Sequence, residues 1–305
     1  MAQTMMTPLS KSAIKSNGMF ASDEKLRRAK VSSTNYVFKR KEIKFLINRE
    51  QHDRLLKLFR GIMCEDEYGL STICNIYLDT EDFDLIRRSI DRPVYKEKLR
   101  LRSYGTPGNG DRVFLEIKKK YKGIVYKRRA SMTLWEAKQY LEKGERPEKK
   151  KEQIFNELDY CIMHYHPVPK LYLAYDRTAY YCQLDEYKDV RITFDSGIRF
   201  RQDDIKLEDG DRGEKLLPDD MYIMEIKIPG AMPLWLLDML TEVKAERVSF
   251  SKYGSIYQKY ILPDIMRKVQ ARIDGRILPA ETSRFEGKPE AEEKAAAADE
   301  FKTAV

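Results

Sequence analysis

The sequence is poor in the residues that build metal and nucleophile sites: among its 305 residues are three histidines, four cysteines and two tryptophans. Cys64, Cys74, Cys161 and Cys182 lie far apart, and no Cys-x-x-Cys pair occurs. Zinc clusters and disulfide frameworks need tight, repeated spacing, so neither is supported. Only Cys161 has a histidine nearby, His164, and no second pair completes a site. Thiols without a framework fit a reducing compartment, which makes a cytoplasmic location the expectation. Residues Met1 to Phe20 lack the apolar core, roughly 7–15 residues long, of a secretory signal. No apolar run approaches the ~18–20 residues of a spanning helix. The greasiest stretch, Met232 to Leu240, is broken by Pro233 and Asp238. There is no Gly-x-x-x-x-Gly-Lys-Ser/Thr loop, and Gly105–Gly110 has no helix after it, so P-loop chemistry is not supported.

What the chain has in quantity is charge and aromatic surface. Lys and Arg number 57 against 49 Asp and Glu, a formal net charge of +8, and 19 Tyr with 12 Phe supply ample core material. Residues 1–34 are polar and without periodicity and read as a flexible arm; residues 266–305 turn to Ala, Glu, Lys and Pro and read as a disordered tail. Between them, 35–265 has no linker long enough to divide it. One folded domain with two tails is expected.

Period-two alternation dominates that block, the mark of strands with unlike faces. It predicts strands at Tyr36–Ile47, Ile73–Asp79, Val94–Tyr104, Arg112–Lys119, Ile124–Met132, Lys170–Tyr180, Val190–Ile198 and Met221–Ile228. Helical patterns fall at Arg49–Arg60, Leu134–Leu141, Glu152–Met163, Pro233–Val243 and about Ser251–Ile261. Few of these helices suit parallel crossovers. The expected class is α+β, a closed antiparallel eight-stranded tunnel barrel with helices packed outside.

The faces carry the chemistry. Arg40, Glu42 and Lys44 oppose Ile43, Phe45 and Ile47. Lys96, Lys98, Arg100 and Arg102 oppose Leu99 and Leu101, and Glu116 and Lys118 oppose Leu115 and Ile117. Arg177 is in register with Tyr175, Arg191 shares a face with Thr193 and Asp195, and Glu225 shares one with Lys227. In the strand 124–132, Lys127 and Arg129 take one parity and Arg128 the other, so its facing stays open. If helices cover the apolar faces of a closed sheet, these cations line its lumen, opposed only by Glu42, Glu116, Asp195 and Glu225. Unpaired, poorly solvated charges cost several kcal/mol each, so such a lumen must hold water and an anion. Closely spaced Arg and Lys suit condensed phosphates. A nucleic-acid binder would instead gather its cations and aromatics on an outer surface, so nucleic acid is not an expected partner.

Arg40-Lys-Glu-Ile-Lys44, Leu99-Arg-Leu-Arg-Ser-Tyr-Gly105, Glu116-Ile-Lys118, Tyr175-Asp-Arg-Thr-Ala179, Glu225-Ile-Lys227 and Phe250-Ser-Lys-Tyr-Gly254, in that order, resemble the VTC domain. This is the polyphosphate polymerase domain of the vacuolar transporter chaperone family, within the triphosphate tunnel metalloenzymes. The resemblance spans about residues 35–262. It implies an antiparallel tunnel barrel, a divalent metal (Mn²⁺ or Mg²⁺), and transfer of the terminal phosphate of ATP to a growing inorganic polyphosphate chain. It assigns phosphate contacts to Lys44, Arg100, Arg102, Lys118, Arg177, Arg191 and Lys252, with Lys127 beside them, and a metal-ligand role to Glu225. Lys227 shares that motif and joins the substrate-binding set.

Arg40 stands where the superfamily's hydrolases carry the first Glu of Glu-x-Glu-x-Lys, which favours binding of a phosphate chain over two-metal hydrolysis. A tunnel triphosphatase and a non-catalytic polyphosphate-binding module are the competing readings. The fused regulatory and membrane-spanning parts of the eukaryotic complex have no counterpart here, so the resemblance implies nothing about regulation or a membrane partner.

Overall fold

Within the described residues, alternating apolar residues become antiparallel strands where the pattern predicts them; residues 36–40 of the first predicted strand lie outside the described residues. The computed structural model describes residues 41–147 and 152–275. In chain order these form β1 (Lys41–Asn48), α1 (Arg49–Leu58), β2 (Met63–Glu65), β3 (Ser71–Asp79), α2 (Asp84–Ile90), β4 (Tyr95–Tyr104), β5 (Arg112–Tyr121), β6 (Ile124–Thr133), α3 (Leu134–Lys143) and α4 (Glu152–Tyr165). There follow β7 (Val168–Cys182), β8 (Arg191–Arg201), β9 (Glu214–Lys215), β10 (Met221–Ile228), α5 (Leu234–Glu242), β11 (Glu246–Val248) and α6 (Lys252–Ile256). A π-helical turn, Tyr257–Ile261, joins α6 to α7 (Leu262–Ile273). Arg40 and the arm 1–34 lie outside the described residues. Helix α7 runs past the expected domain boundary at residue 265, and the remainder of the tail from 276 lies outside the described residues.

Local chemistry starts these helices where they start. Asn48 and Gln51 form a reciprocal capping box on α1, each side chain accepting from the other's backbone N–H at 2.9 Å. Thr133 and Glu136 do the same for α3. Such boxes satisfy amide donors that a helix start leaves free. Helix α2, which the periodicity did not predict, is capped from outside: buried Asp79 accepts from the backbone N–H groups of Leu85 and Ile86.

The eleven strands form one antiparallel sheet in the order β11-β1-β10-β8-β7-β3-β4-β5-β6, with β2 added to β7 and β9 to β8. The expectation of a closed eight-stranded barrel needs correction, because among the described residues β6 and β11 end the hydrogen-bonded path without pairing to each other. The sheet curls instead until side chains meet across the gap. Lys118 of β5 reaches Glu42 of β1 at 3.9 Å.

Two apolar layers cover the convex face. Leu99, Leu101, Leu115 and Ile117 pack with Tyr140 of α3 and with Phe155 and Leu158 of α4. Phe45, Ile47, Ile192, Phe194, Met224 and Ile226 pack with Leu55 of α1 and Leu236 of α5. Each such side chain contributes about 1.5–3 kcal/mol on burial.

A third cluster lies on the concave side and corrects the expectation that all helices sit outside. Leu46, Tyr77, Leu173, Tyr175 and Ile223 share parity with the charged residues, yet they pack against Tyr253, Ile256 and Tyr257 of α6 and its π-turn. Helix α6 thus fills one half of the concavity, and the charged rows line the other. Gly197 makes this division within β8. Its φ of +52° coincides with a bulge opposite Tyr175, so Asp195 and Ile198 both face inward. An extra residue in one strand is what switches parity in this way.

Candidate functional site

Cross-strand register sets the charged rows side by side. Arg100 of β4, Glu116 of β5 and Arg129 of β6 form one row; Lys98, Lys118 and Lys127 form the next. Glu116 is 1% exposed and gathers the neighbouring cations. Its Oε2 accepts from Arg100 Nε at 2.8 Å and lies 3.8 Å from Arg102. Its Oε1 accepts from Arg129 Nε at 2.6 Å and pairs with Lys127 at 2.9 Å. Burial alone would push the Glu116 carboxyl up, but Arg100, Arg102 and Lys127 hold it well below the usual carboxylate range. The facing of β6 is therefore settled: Lys127 and Arg129 point inward, and Arg128 pairs outside with Glu157 of α4 at 3.3 Å.

A second knot forms on Asp195, which is fully buried. Arg177 grips it with two bonds, Nε to Oδ1 at 2.5 Å and Nη2 to Oδ2 at 2.7 Å, and Lys252 pairs with the same carboxylate. Lys252 also sits 4.4 Å from the ring centre of Tyr175. The Tyr175 hydroxyl accepts from Arg102 Nη2 at 3.2 Å, linking this knot to the Glu116 cluster. Burial would raise the Tyr175 phenol; Arg102 and Arg177 bring it below its ordinary value.

On β1 and β10, Lys44 is opposite Glu225 and Glu42 is opposite Lys227. Lys44 pairs with Glu42 at 3.0 Å, and Lys227 with Glu225 at 2.7 Å. Glu225 is held well below the usual carboxylate range: burial raises it, but Lys227, Lys44 and Arg177 outweigh burial. Glu42 is also lowered, with Lys118 opposing burial and Glu225 opposing ionisation.

Most residues that the sequence picks out, Lys44, Arg100, Arg102, Lys118, Lys127, Arg177, Glu225, Lys227 and Lys252, therefore meet on one concave surface. Arg191 shares their parity but stands at the rim, half exposed and 3.5 Å from Asp66. The Lys252 side chain reaches into the concavity because α6 itself does.

The geometry adds two residues, Arg129 and Lys98, to those that the sequence picks out. Arg129 was hidden by the ambiguous parity of β6. Lys98, on the predicted face, donates to Ser251 Oγ at 2.9 Å and has no carboxylate partner among the described residues. Burial first, and then Lys118, Lys96, Lys44 and Arg100, lower its pKa to about 7. Lys127 is lowered to about 8, chiefly by burial. The segment 250–252, between β11 and the first residue of α6, ties these parts together. The Phe250 carbonyl accepts from Lys44 at 3.1 Å, Ser251 meets Lys98, and Lys252 meets Asp195.

Among the described residues no three His, Cys, Asp or Glu side chains converge as a metal cage, and no helix is long and apolar enough to cross a membrane. Glu225 and Glu42 are neighbouring carboxylates on paired strands, a donor set that fits a hard divalent ion. Mg²⁺ typically takes one or two protein carboxylates and completes its shell with water and substrate phosphate.

No curated protein matches the chain. Among solved structures, a candidate adenylate cyclase from Bacillus halodurans is similar at 17% identity and a TM-score of 0.45, covering 72% of this chain and 96% of that one. The Mimivirus capping enzyme triphosphatase is similar at 12% identity and a TM-score of 0.30, covering 74% of this chain and 94% of that one. A comparison with protein families matches residues 39–261 to the VTC domain. That stretch begins just before β1 and ends with the π-turn, and it contains every cation and carboxylate of the concave surface. The chain belongs to the VTC domain family.

Proposed function

We propose that this chain is an ATP–polyphosphate phosphotransferase that adds the terminal phosphate of ATP to an inorganic polyphosphate chain held in the basic concavity. The observation that carries the reading is the state of Glu116. One buried carboxylate is shared by Arg100, Arg102, Lys127 and Arg129, and no other acid among the described residues pairs with them. A surplus of this kind is stabilised by a polyanion and suits a condensed phosphate chain better than a single phosphate.

Phosphoryl transfer asks mainly for alignment and charge stabilisation. Arg100, Arg102 and Arg129 offer planar guanidinium donors on one side, and on the other Asp195 fixes the Arg177 guanidinium and the Lys252 ammonium. Phosphates lying between the two knots would meet donors from β4 and β6 on one side and from β7 and α6 on the other, which can hold donor and acceptor groups in line. No side-chain base is required, because a chain-end phosphate with a last pKa of about 6 is already largely ionised near neutrality. Mn²⁺ or Mg²⁺ on Glu225 and Glu42 would neutralise charge on the transferring group.

The test is incubation of purified protein with γ-labelled ATP and Mn²⁺ or Mg²⁺, with products resolved on a gel. A ladder of labelled polymer, lost in Arg100→Ala and Glu225→Ala, is the expected result. Free phosphate alone would replace this reading with a triphosphatase, and no turnover despite tripolyphosphate binding would leave a binding module.

A further inference from the structure

At the end of β4 and β5 remote from their turn into β6, the inward rows pass from charge to aromatic rings that the phosphotransfer chemistry does not use. On β4 the inward positions run from Arg100 through Arg102 to Tyr104, and on β5 Phe114 is the register partner of Arg102. The Tyr104 and Phe114 rings meet edge to face, 5.8 Å between centres. The Arg129 guanidinium lies 4.4 Å from the centre of the Phe114 ring while it donates to Glu116 at 2.6 Å. Phe114 thus joins the aromatic pair to the cationic cluster.

The backbone around Tyr104 is fixed on both sides. Ile73 of β3 is its register partner and is also the partner of Tyr175 on β7, so one row links the aromatic pair to the Asp195 knot. Just past Tyr104, the Gly105 N–H donates to the Thr72 carbonyl at 2.8 Å, and Ser103 Oγ donates to the Gly105 carbonyl at 2.7 Å. Tyr104 is nonetheless 53% exposed, and Tyr68 and Leu70, on the turn that leads into β3, are more exposed still. A rigidly held ring that stays in water at the lip of a cationic cleft offers its face to a flat ligand, and such a ring loses little conformational freedom when the ligand stacks on it.

We infer that Tyr104 is a stacking platform for the base of the nucleoside triphosphate, propped by Phe114, while the phosphates enter the Glu116 cluster. The inference rests on the nucleotide-donor reading of the concavity. A nucleoside triphosphate is a flat aromatic ring joined through a ribose to a polyanion, and β4 presents the complements in that order. At a rise of about 3.3 Å per residue, Arg102 lies about 7 Å from Tyr104 along the strand, and Arg100 follows. Stacking recognises the face of a base and not its edge, so the platform separates nucleotides from bare polyphosphate and favours the larger purine ring. It also gives the cleft a polarity: the donor enters past Tyr104, since an inorganic chain has no ring to place there.

The experiment measures ATP, UTP and tripolyphosphate binding by calorimetry in one Mg²⁺ buffer, using the full chain and the variants Tyr104→Ala and Tyr104→Phe. Tripolyphosphate carries the phosphates without the ring. Tyr104→Ala should lose about tenfold or more in ATP affinity and less in UTP affinity, while its tripolyphosphate affinity stays that of wild type. Tyr104→Phe keeps the ring and should keep ATP affinity. An unchanged ATP affinity in Tyr104→Ala overturns the platform. So does an equal loss for ATP and tripolyphosphate, which would mean that Tyr104 only supports the arginines, or an equal loss in Tyr104→Phe, which would place the effect in the hydroxyl. Wild type that binds tripolyphosphate but not ATP overturns the nucleotide-donor reading, and wild type that binds neither overturns the phosphate reading of the concavity.

Discussion

Glu116 and Arg129 are direct register partners on neighbouring strands, and the carboxylate receives the guanidinium at 2.6 Å while also serving Arg100, Arg102 and Lys127. One acid thus keeps several cations in place without neutralising them, which makes it the structural anchor of an otherwise self-repelling surface.

Glu116→Gln keeps the shape and removes the charge. Breaking a buried ion pair from one side costs about 3–5 kcal/mol, and the stranded cations should place this substitution in that range. Denaturant unfolding measures the loss. Tripolyphosphate should raise the melting temperature of the variant more than that of wild type, since the anion replaces the missing charge. Equal shifts in both proteins would contradict the anchor role.

Proton uptake should accompany anion binding. Lys98, with a pKa of about 7, and Lys127, at about 8, are largely or half neutral at pH 8 in the free protein. A bound polyphosphate favours their charged forms, so at pH 8 binding takes up protons and affinity falls as pH rises from 7 to 9. Calorimetry in buffers of different ionisation heat reads the uptake directly, and Lys98→Met should reduce it. For stability the sign is opposite. A lysine lowered on folding binds more protons when unfolded, so its contribution is full above about 10.5 and is lost as pH falls through 7.

Arg191 and Arg177 should separate kinetically. Arg177 is locked to Asp195, whereas Arg191 is a rim residue beside Asp66 with half its side chain in water. Rim charges govern encounter and its salt dependence more than the bound state. Arg191→Ala should therefore raise KM and flatten the salt dependence with kcat within about threefold, while Arg177→Ala should lower kcat by about a hundredfold or more. Steady-state kinetics at two ionic strengths decides this.

Gly197→Ala tests the β8 bulge. A Cβ there would lie 2.9 Å from Asp176 Oδ2, on a backbone with φ of +52°. Strain of this kind costs about 1–3 kcal/mol. The variant should unfold earlier and lose activity beyond its loss of stability, since Asp195 lies two residues away and aims both Arg177 and Lys252.

Strand parity made most of the concave surface legible, because a period of two puts Lys44, Arg100, Arg102, Lys118, Arg177 and Glu225 on one side whatever the strand order. What parity could not give was closure. Whether β6 meets β11 depends on curl, which accumulates from twist and bulges across the whole sheet. The facing of β6 was equally hidden, since it carries cations on both sides and Glu157, remote in sequence, receives Arg128. Helix α6 read as external because its Tyr253, Ile256 and Tyr257 would suit any apolar surface. Only the inward patch of Leu46, Tyr77, Leu173 and Ile223 shows where they go. Lys98 was on the predicted face, but its lack of an acid follows from the path of residues 249–252, which no local pattern encodes.

The open seam has a mechanical consequence. With no backbone ladder joining the sheet's two ends among the described residues, the gap between them is spanned by side-chain contacts such as the water-accessible Lys118–Glu42, whose side chains are 44% and 32% exposed. Such contacts weaken as electrolyte shields them. The aperture is then an elastic clasp, stiff in dilute buffer and slack in concentrated salt, and the proposed polyphosphate chain would be gripped or released by the ionic medium as well as by the side chains lining the concavity.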